Sequence, residues 1–370
     1  MTDIDVKAFI KKKPVLVVSA ILAVCSFALQ PTLDSFGNVN LKTLGILFIF
    51  MSAMAGLKVC GVFEAIAIKL TSHTKNVRAL CFALVFMPYF TAMFITNDVA
   101  LLVFIPLSMT ILMSVNLERL IIPILILDTM AVNIGCMLTP FGNPHNLYVY
   151  TAYELSFQDV TFSVLPFMIA GTILILVALM FLKGEMEKAP EIGQRVDYSR
   201  VHLGASVAIF AMGILTVLGF IPYWATVAVA IVILLAVAPR DLLHINYGLI
   251  LTFFFLFLLT GNISSWDALA NALTDLMDGD AFVVTSLVSQ VTSNVPSTIL
   301  LDGFTTDWYG LMVGADVGGF GTPIASMAAL ITLETYSSWE NSNTKKYIIR
   351  FEAVSFTMLL LLLGVHFLIG

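Results

Sequence analysis

Apolar runs close to the length of a bilayer-spanning helix dominate the chain, and a few are cut at mid-length by short polar clusters. Uncut runs lie at 14–30, 42–58, 163–182, 202–220, 223–238, 247–260 and 350–369, near the roughly 20 residues a bilayer core requires. Residues 61–73 and 263–280 carry apolar and polar positions on opposite helix faces, as in helices lying at the membrane surface. Four segments are different. The run 79–115 holds Thr96-Asn97-Asp98 at its centre, and 120–150 is broken at Thr139-Pro140. In the same order, 281–301 holds Ser293-Asn294, and 317–335 opens on a break ending at Thr322-Pro323. The run 79–115 fits two spans or one re-entrant hairpin. Polar residues at mid-depth favour the hairpin, because irregular backbone is tolerated there only when enclosed by protein.

Composition agrees with this pattern. Of 370 residues 59% are hydrophobic and 11% charged, against about 25% charged in soluble domains. The chain therefore reads as an integral membrane protein, and its net charge of −6 gives no footing for nucleic acid. Cys25, Cys60, Cys81 and Cys136 stand apart from one another, without the pairing of a disulfide framework or zinc site. Cations set orientation. Lys7, Lys11 to Lys13, Lys75, Arg78 and Arg119 mark one side, joined by Lys183, Lys188, Arg195, Arg200, Arg240, Lys345, Lys346 and Arg350. The stretches 151–162 and 302–307 carry only acids and mark the other. This predicts a multi-pass inner-membrane protein with an uncleaved first helix, a cytoplasmic N-terminus and an external C-terminus. Trp224, Trp266 and Trp308 fall near the outer surface and Trp339 near the inner one.

The order of segments predicts an all-α polytopic protein of two inverted-topology repeats, 1–185 and 223–370, joined by a linker and linking helix at 186–222. Hairpin tips and broken helices from both halves would then meet near the bilayer centre. Broken helices present free N–H groups to an anion and free carbonyls to a cation. The candidate ligand-binding residues are Thr96, Asn97, Asp98, Thr139, Pro140, Gly142, Asn143 and Asn146 from the first half. Ser293, Asn294, Thr298, Asp316, Gly321, Thr322 and Pro323 come from the second. A Na⁺ site is expected near Asn97, Asp98, Gly142 and Asn294. A carboxylate at mid-depth is expensive and so marks function; Asp98 and Asp316 serve either as proton carriers or as cation ligands. His145 reads more readily as a hydrogen-bonded structural group than as a proton carrier, and His73, His202, His244 and His366 as bystanders near the membrane surfaces.

The motifs resemble those of the ion transporter superfamily that includes arsenite permeases, sodium/proton antiporters, citrate permeases and divalent anion:sodium symporters. Phe94 to Leu102 is similar to an arsenite-permease first hairpin, and Asn133 to Asn146 to the first broken helix shared across the superfamily. Val291 to Pro296 and Gly318 to Pro323 resemble their second-half counterparts. The resemblance implies a homodimer with a fixed scaffold and an elevator-like transport domain, no covalent cofactor, and H⁺ or Na⁺ as coupling ion. The expected function is secondary active transport of a small organic carboxylate or inorganic oxyanion; the alternative is sodium/proton antiport. Both tips lack the final Thr of the symporters' Ser-Asn-Thr, which argues against strict dicarboxylate recognition. An intramembrane aspartyl protease is disfavoured because Asp278-Gly279-Asp280 falls in a surface segment, and a channel because broken helices in opposed repeats fit alternating access.

Overall fold

The computed structural model describes residues 14–29, 36–37, 39–71, 74, 76–185 and 199–369, and every regular element among them is helical. Lys7, Lys11 to Lys13, His73, Lys75, Lys188 and Arg195, with the joining loop at 186–198, lie outside the described residues.

The helices α1 (Pro14–Leu29) and α2 (Leu41–Val59) precede a short amphipathic α3 (Val62–Thr71). The first hairpin is α4 (Val77–Ala92) with α5 (Asn97–Ser114), and the first broken helix is α6 (Ile121–Gly135) with α7 (Pro144–Ala152). Next come α8 (Phe157–Met180), α9 (Arg200–Val217), α10 (Tyr223–Val237) and α11 (Tyr247–Ser264). The second hairpin is α12 (Asp267–Thr292) with α13 (Asn294–Asp302). The second broken helix is α14 (Trp308–Gly318) with α15 (Met327–Ser337), and α16 (Thr344–Ile369) follows. Seven of the described helices are long and apolar enough to cross a bilayer, and α1, α4 and α10 are shorter apolar helices.

Side chains fix the helix starts. Asn40, Asn76, Ser199, Asn246 and Asp307 each accept a backbone N–H of the first turn, satisfying a donor that the helix cannot. Two starts fall earlier than hydropathy places them. The helix α8 begins at Phe157 rather than 163, because Ser156 Oγ accepts from the Asp159 N–H at 3.2 Å and Asp159 accepts from the Ser156 N–H at 2.8 Å. That capping box turns the end of the expected 151–162 loop into helix. The second broken helix has its first arm at Trp308–Gly318, ahead of the expected 317–335, since Asp307 caps the Gly310 N–H at 3.0 Å. The surface helix and the hairpin arm of the second half run together as α12, bent at Asp280, where φ is −167° and ψ 93°.

The two halves pack by one plan. In each, the leading hairpin arm lies along the leading arm of the broken helix, α4 on α6 and α12 on α14. Glycine allows this closeness. A Cβ on Gly135 would strike the Tyr89 carbonyl, and one on Gly314 would lie 2.6 Å from the Phe282 carbonyl. Small residues at such contacts matter in lipid, where helices associate by close packing and not by escape from water. The trailing arms cross over: α5 packs on α15, and α13 on α7. Around this body α1 pairs with α11, and α2 with α9 and α10.

Candidate functional site

The two hairpin tips are built alike. The Asn97 N–H donates to the Gly142 carbonyl at 3.3 Å, and the Asn294 N–H to the Ala325 carbonyl at 2.9 Å. Each Asn side-chain oxygen then accepts the N–H of the next residue, Asp98 at 2.9 Å and Val295 at 3.0 Å. The threonine of each break anchors the other side of the tip. Thr139 donates to the Met93 carbonyl and Thr322 to the Gln290 carbonyl, four residues before Asn97 and Asn294 respectively. Gly142 and Ala325 are therefore equivalent, each three residues beyond its threonine.

Across the halves the bonds are reciprocal. Asp316 stands six residues before Thr322, as Asn133 stands six before Thr139. Asn143 Nδ2 donates to Asp316 Oδ1 at 3.4 Å, while Ser326 Oγ donates to Asn133 Oδ1 at 3.3 Å. Asp316 gathers further partners from the start of α7: His145 Nε2 at 3.1 Å and Asn146 Nδ2 at 3.0 Å. All four residues are buried. Sequence reading gives Asp316 as a proton carrier or cation ligand and His145 as a hydrogen-bonded structural group, without joining the two. The fold instead clasps the carboxylate with side chains from the opposite half.

Several hydroxyls expected to face a ligand are already engaged. Thr298 donates to the Asn294 carbonyl at 2.8 Å, and Thr139 and Thr322 hold the hairpins. By contrast Thr96 Oγ1, Asp98 Oδ1, Asn143 Oδ1 and Asn146 Oδ1 are buried without a partner. Unmet buried polar atoms ask for an explanation, and those of Thr96 and Asp98 lie together at one cavity.

Asp98 lies where two cavities meet. One, about 150 Å³, is lined by Asp98, by Ser293 and Pro296 of the second tip, and by Asn246 and Thr252 at the start of α11. The other, about 290 Å³, adds Thr96, Lys58 and His244. Ser293 sits in its cavity wall with φ 76° and ψ 152°, a conformation almost confined to glycine and found where strain serves function. Gly321, at φ 107°, turns the second break without such cost. The remaining expected residues, Asn97, Pro140, Gly142, Asn143, Asn146, Asn294, Asp316 and Pro323, do not line these two cavities. The oxygens of Thr96 and Asp98 are the hard donors that suit Na⁺.

Three residues escaped the sequence reading. Gln290 Nε2 donates to the Gly318 and Phe320 carbonyls, both at 2.9 Å, and its Oε1 accepts from the Thr322 N–H at 3.0 Å, so one amide splints the second break. Asn133 ties the first half to the second break. Lys58, at the end of α2, brings a cation to the larger cavity.

Residues 7–305 match the citrate transporter family, CitMHS. The chain belongs to that family. It is 30% identical over 306 residues to the uncharacterized transporter MJ0456 of Methanocaldococcus jannaschii, covering 81% of this chain and 82% of that protein. It is 31% identical over 320 residues to the inner membrane protein YbiR of Escherichia coli K12, covering 82% and 81% respectively. Its fold is similar to the YdaH transporter of Alcanivorax borkumensis, with a TM-score of 0.54 at 14% identity over 96% of this chain and 97% of that one. This CitMHS-family chain is thus a multi-pass membrane transporter.

Proposed function

We propose that this transporter is a secondary carrier that moves a small anion, an organic carboxylate or inorganic oxyanion, together with H⁺ or Na⁺. The observation that carries this is the frame of reciprocal bonds: each hairpin tip is pinned to its own break, and each break is latched to the other half. Such a frame moves as one body, and its cavities open against α1, α2 and α11. We assign 1–185 and 223–370 to two inverted repeats joined through 186–222. The hairpins and broken helices form a mobile unit that slides, as an elevator, against a scaffold built on α1, α2 and α9 to α11, with a homodimer formed through the scaffold.

In this reading the anion occupies the cavities at the tips, near Thr96, Asp98 and Ser293, with Lys58 as its countercharge. Asp98 binds the coupling ion beside it. The family's name favours a citrate-like carboxylate among the candidate anions. Purified protein in proteoliposomes tests the proposal: uptake of a labelled carboxylate or oxyanion should follow an imposed Na⁺ or pH gradient and fall at least tenfold in Asp98→Asn. Uptake indifferent to both gradients would exclude a coupled carrier. The alternative, sodium/proton antiport, is favoured by the unpartnered Asp98 oxygen. It would show as Na⁺-dependent proton movement without any anion.

A further inference from the structure

A second buried carboxylate lies away from the cavities. Asp128 sits mid-way along α6 in the run Ile124-Leu-Ile-Leu-Asp128-Thr-Met-Ala-Val132, and is wholly buried. Its Oδ2 meets Ser108 Oγ of α5 at 3.0 Å, and its Oδ1 has no partner. Among the described residues no Lys, Arg or His pairs with it. The ionisable groups beside it are Cys81 of α4 and Tyr347 of α16, both neutral in ordinary conditions. The Tyr347 hydroxyl is itself buried, beside Thr129. On the other faces, α15 contributes the Thr332 hydroxyl, bonded to Thr129 at 2.8 Å, and its Glu334 is exposed. Along α8 the one ionisable residue is Asp159, in the first turn.

An ionised carboxylate so placed would stand uncompensated in a medium without water, an arrangement proteins avoid by neutralising the group. Two ligands can do so. A cation such as Na⁺ needs several oxygens around it, whereas only Ser108 reaches the Asp128 carboxylate. A proton needs one acceptor and one partner, and both are present. We infer that Asp128 is a proton-binding site, distinct from the anion cavity and carried within the mobile body. Its position gives the proton leverage, because α6 is the arm that ends at the first break and touches α4, α5, α15 and α16. Gaining or losing one proton there changes how the first hairpin, through Ser108, packs on the broken helix.

Infrared difference spectroscopy of the full chain in lipid tests this without knowledge of the substrate, so its outcome is separate from that of the anion assay. The wild type should show a carboxylic-acid C=O band that shifts in D₂O, vanishes reversibly at high pH and is missing from Asp128→Asn. In Ser108→Ala, which keeps the carboxyl but removes its partner, the same band should move to higher frequency. That variant also serves if Asp128→Asn fails to fold. A spectrum identical in wild type and Asp128→Asn would mean an ionised Asp128 and overturn the inference. A band that never titrates would mean a locked structural proton and overturn it equally.

Discussion

Replacing Asp316 by Asn separates a latch from a mere neighbour. The carboxylate accepts from Asn143, His145 and Asn146 at 3.4, 3.1 and 3.0 Å, all in a buried setting. An amide of the same shape keeps one acceptor oxygen and turns an NH₂ toward a group that is itself a donor. At least one charge-assisted bond is lost, about 1.5–3 kcal/mol, and one buried donor is left unmet, about 1–3 kcal/mol. Allowing for side-chain adjustment, a net loss of about 3 kcal/mol is expected. Taking the low end of about 2 °C per kcal/mol found for larger domains, Tm should fall by roughly 6 °C. Ser326→Ala is the comparison, since its bond to Asn133 is neutral, 3.3 Å long and in the equivalent place; because Ser326 Oγ also caps the Ala328 N–H at 3.2 Å, it should cost about 1–2 kcal/mol, less than Asp316→Asn. Thermal unfolding in detergent, followed by a thiol-reactive dye, reads both variants on one scale. Equal Tm values for Asp316→Asn and wild type would refute the latch, whatever happened to transport.

Asp98→Asn should do the reverse: stability within about 1 kcal/mol of wild type, because its buried Oδ1 has no bond to lose, but uptake at least tenfold lower and any stabilisation by Na⁺ lost. Thr139→Val and Thr322→Val each remove a bond from break to tip and should lower stability by about 1 kcal/mol, with Thr139→Val somewhat worse because its hydroxyl also accepts the Gly142 N–H at 3.2 Å. No loss in either variant would mean that the threonine does not hold its hairpin tip. Ser293→Gly relieves a positive φ of 76° and should raise stability by about 1 kcal/mol, read as a higher Tm; unchanged or lower stability would mean the tip carries no strain.

Much of the fold was visible in the sequence, for a definite reason. Pro88, Pro106 and Pro166 sit singly inside continuous helices. Polar residues clustered within an apolar run, by contrast, are tolerated only where the backbone opens inside protein, so Thr96-Asn97, Thr139-Pro140, Ser293-Asn294 and Thr322-Pro323 marked the tips and breaks directly. The bend at Asp280 likewise fell where the amphipathic pattern gives way to an apolar one. The partners of these groups were hidden. Asn133 and Asp316 do equivalent work with different side chains, as do Gly142 and Ala325, so residue matching passes over them. Their kinship is carried by backbone bonds. Gln290 is an ordinary polar residue until its amide is seen to bind three groups of the second break. Asp128 interrupts nothing, and a lone carboxylate inside an unbroken apolar run has no local signature beyond its cost. Lys58, at a helix end, reads as an interfacial anchor.

The frame and its charges follow different rules. Backbone and hydroxyl bonds at the tips are matched between halves, so if the halves are inverted repeats, as proposed above, the frame by itself does not prefer one side of the membrane to the other. The carboxylates are unmatched: Asp98 at the first tip faces Val295 at the second, and Asp316 at the second break answers Asn133 at the first. At the tips and breaks, each half thus holds one acid, in a different place. The acid at the tip is beside the cavities and free to bind; the acid at the break is enclosed and already satisfied. A matched frame permits two states of similar energy, and a carrier needs such states to alternate. An unmatched charge at the tip lets a bound cation shift the balance between them, because a ligand moves an equilibrium only by its differential affinity for the two states. Had both acids sat at the tips, two like charges would have shared a small cavity and opposed an anion there. In the function proposed above, placing one of them behind the frame, under three donors, leaves room in that cavity for an anion beside the coupling cation.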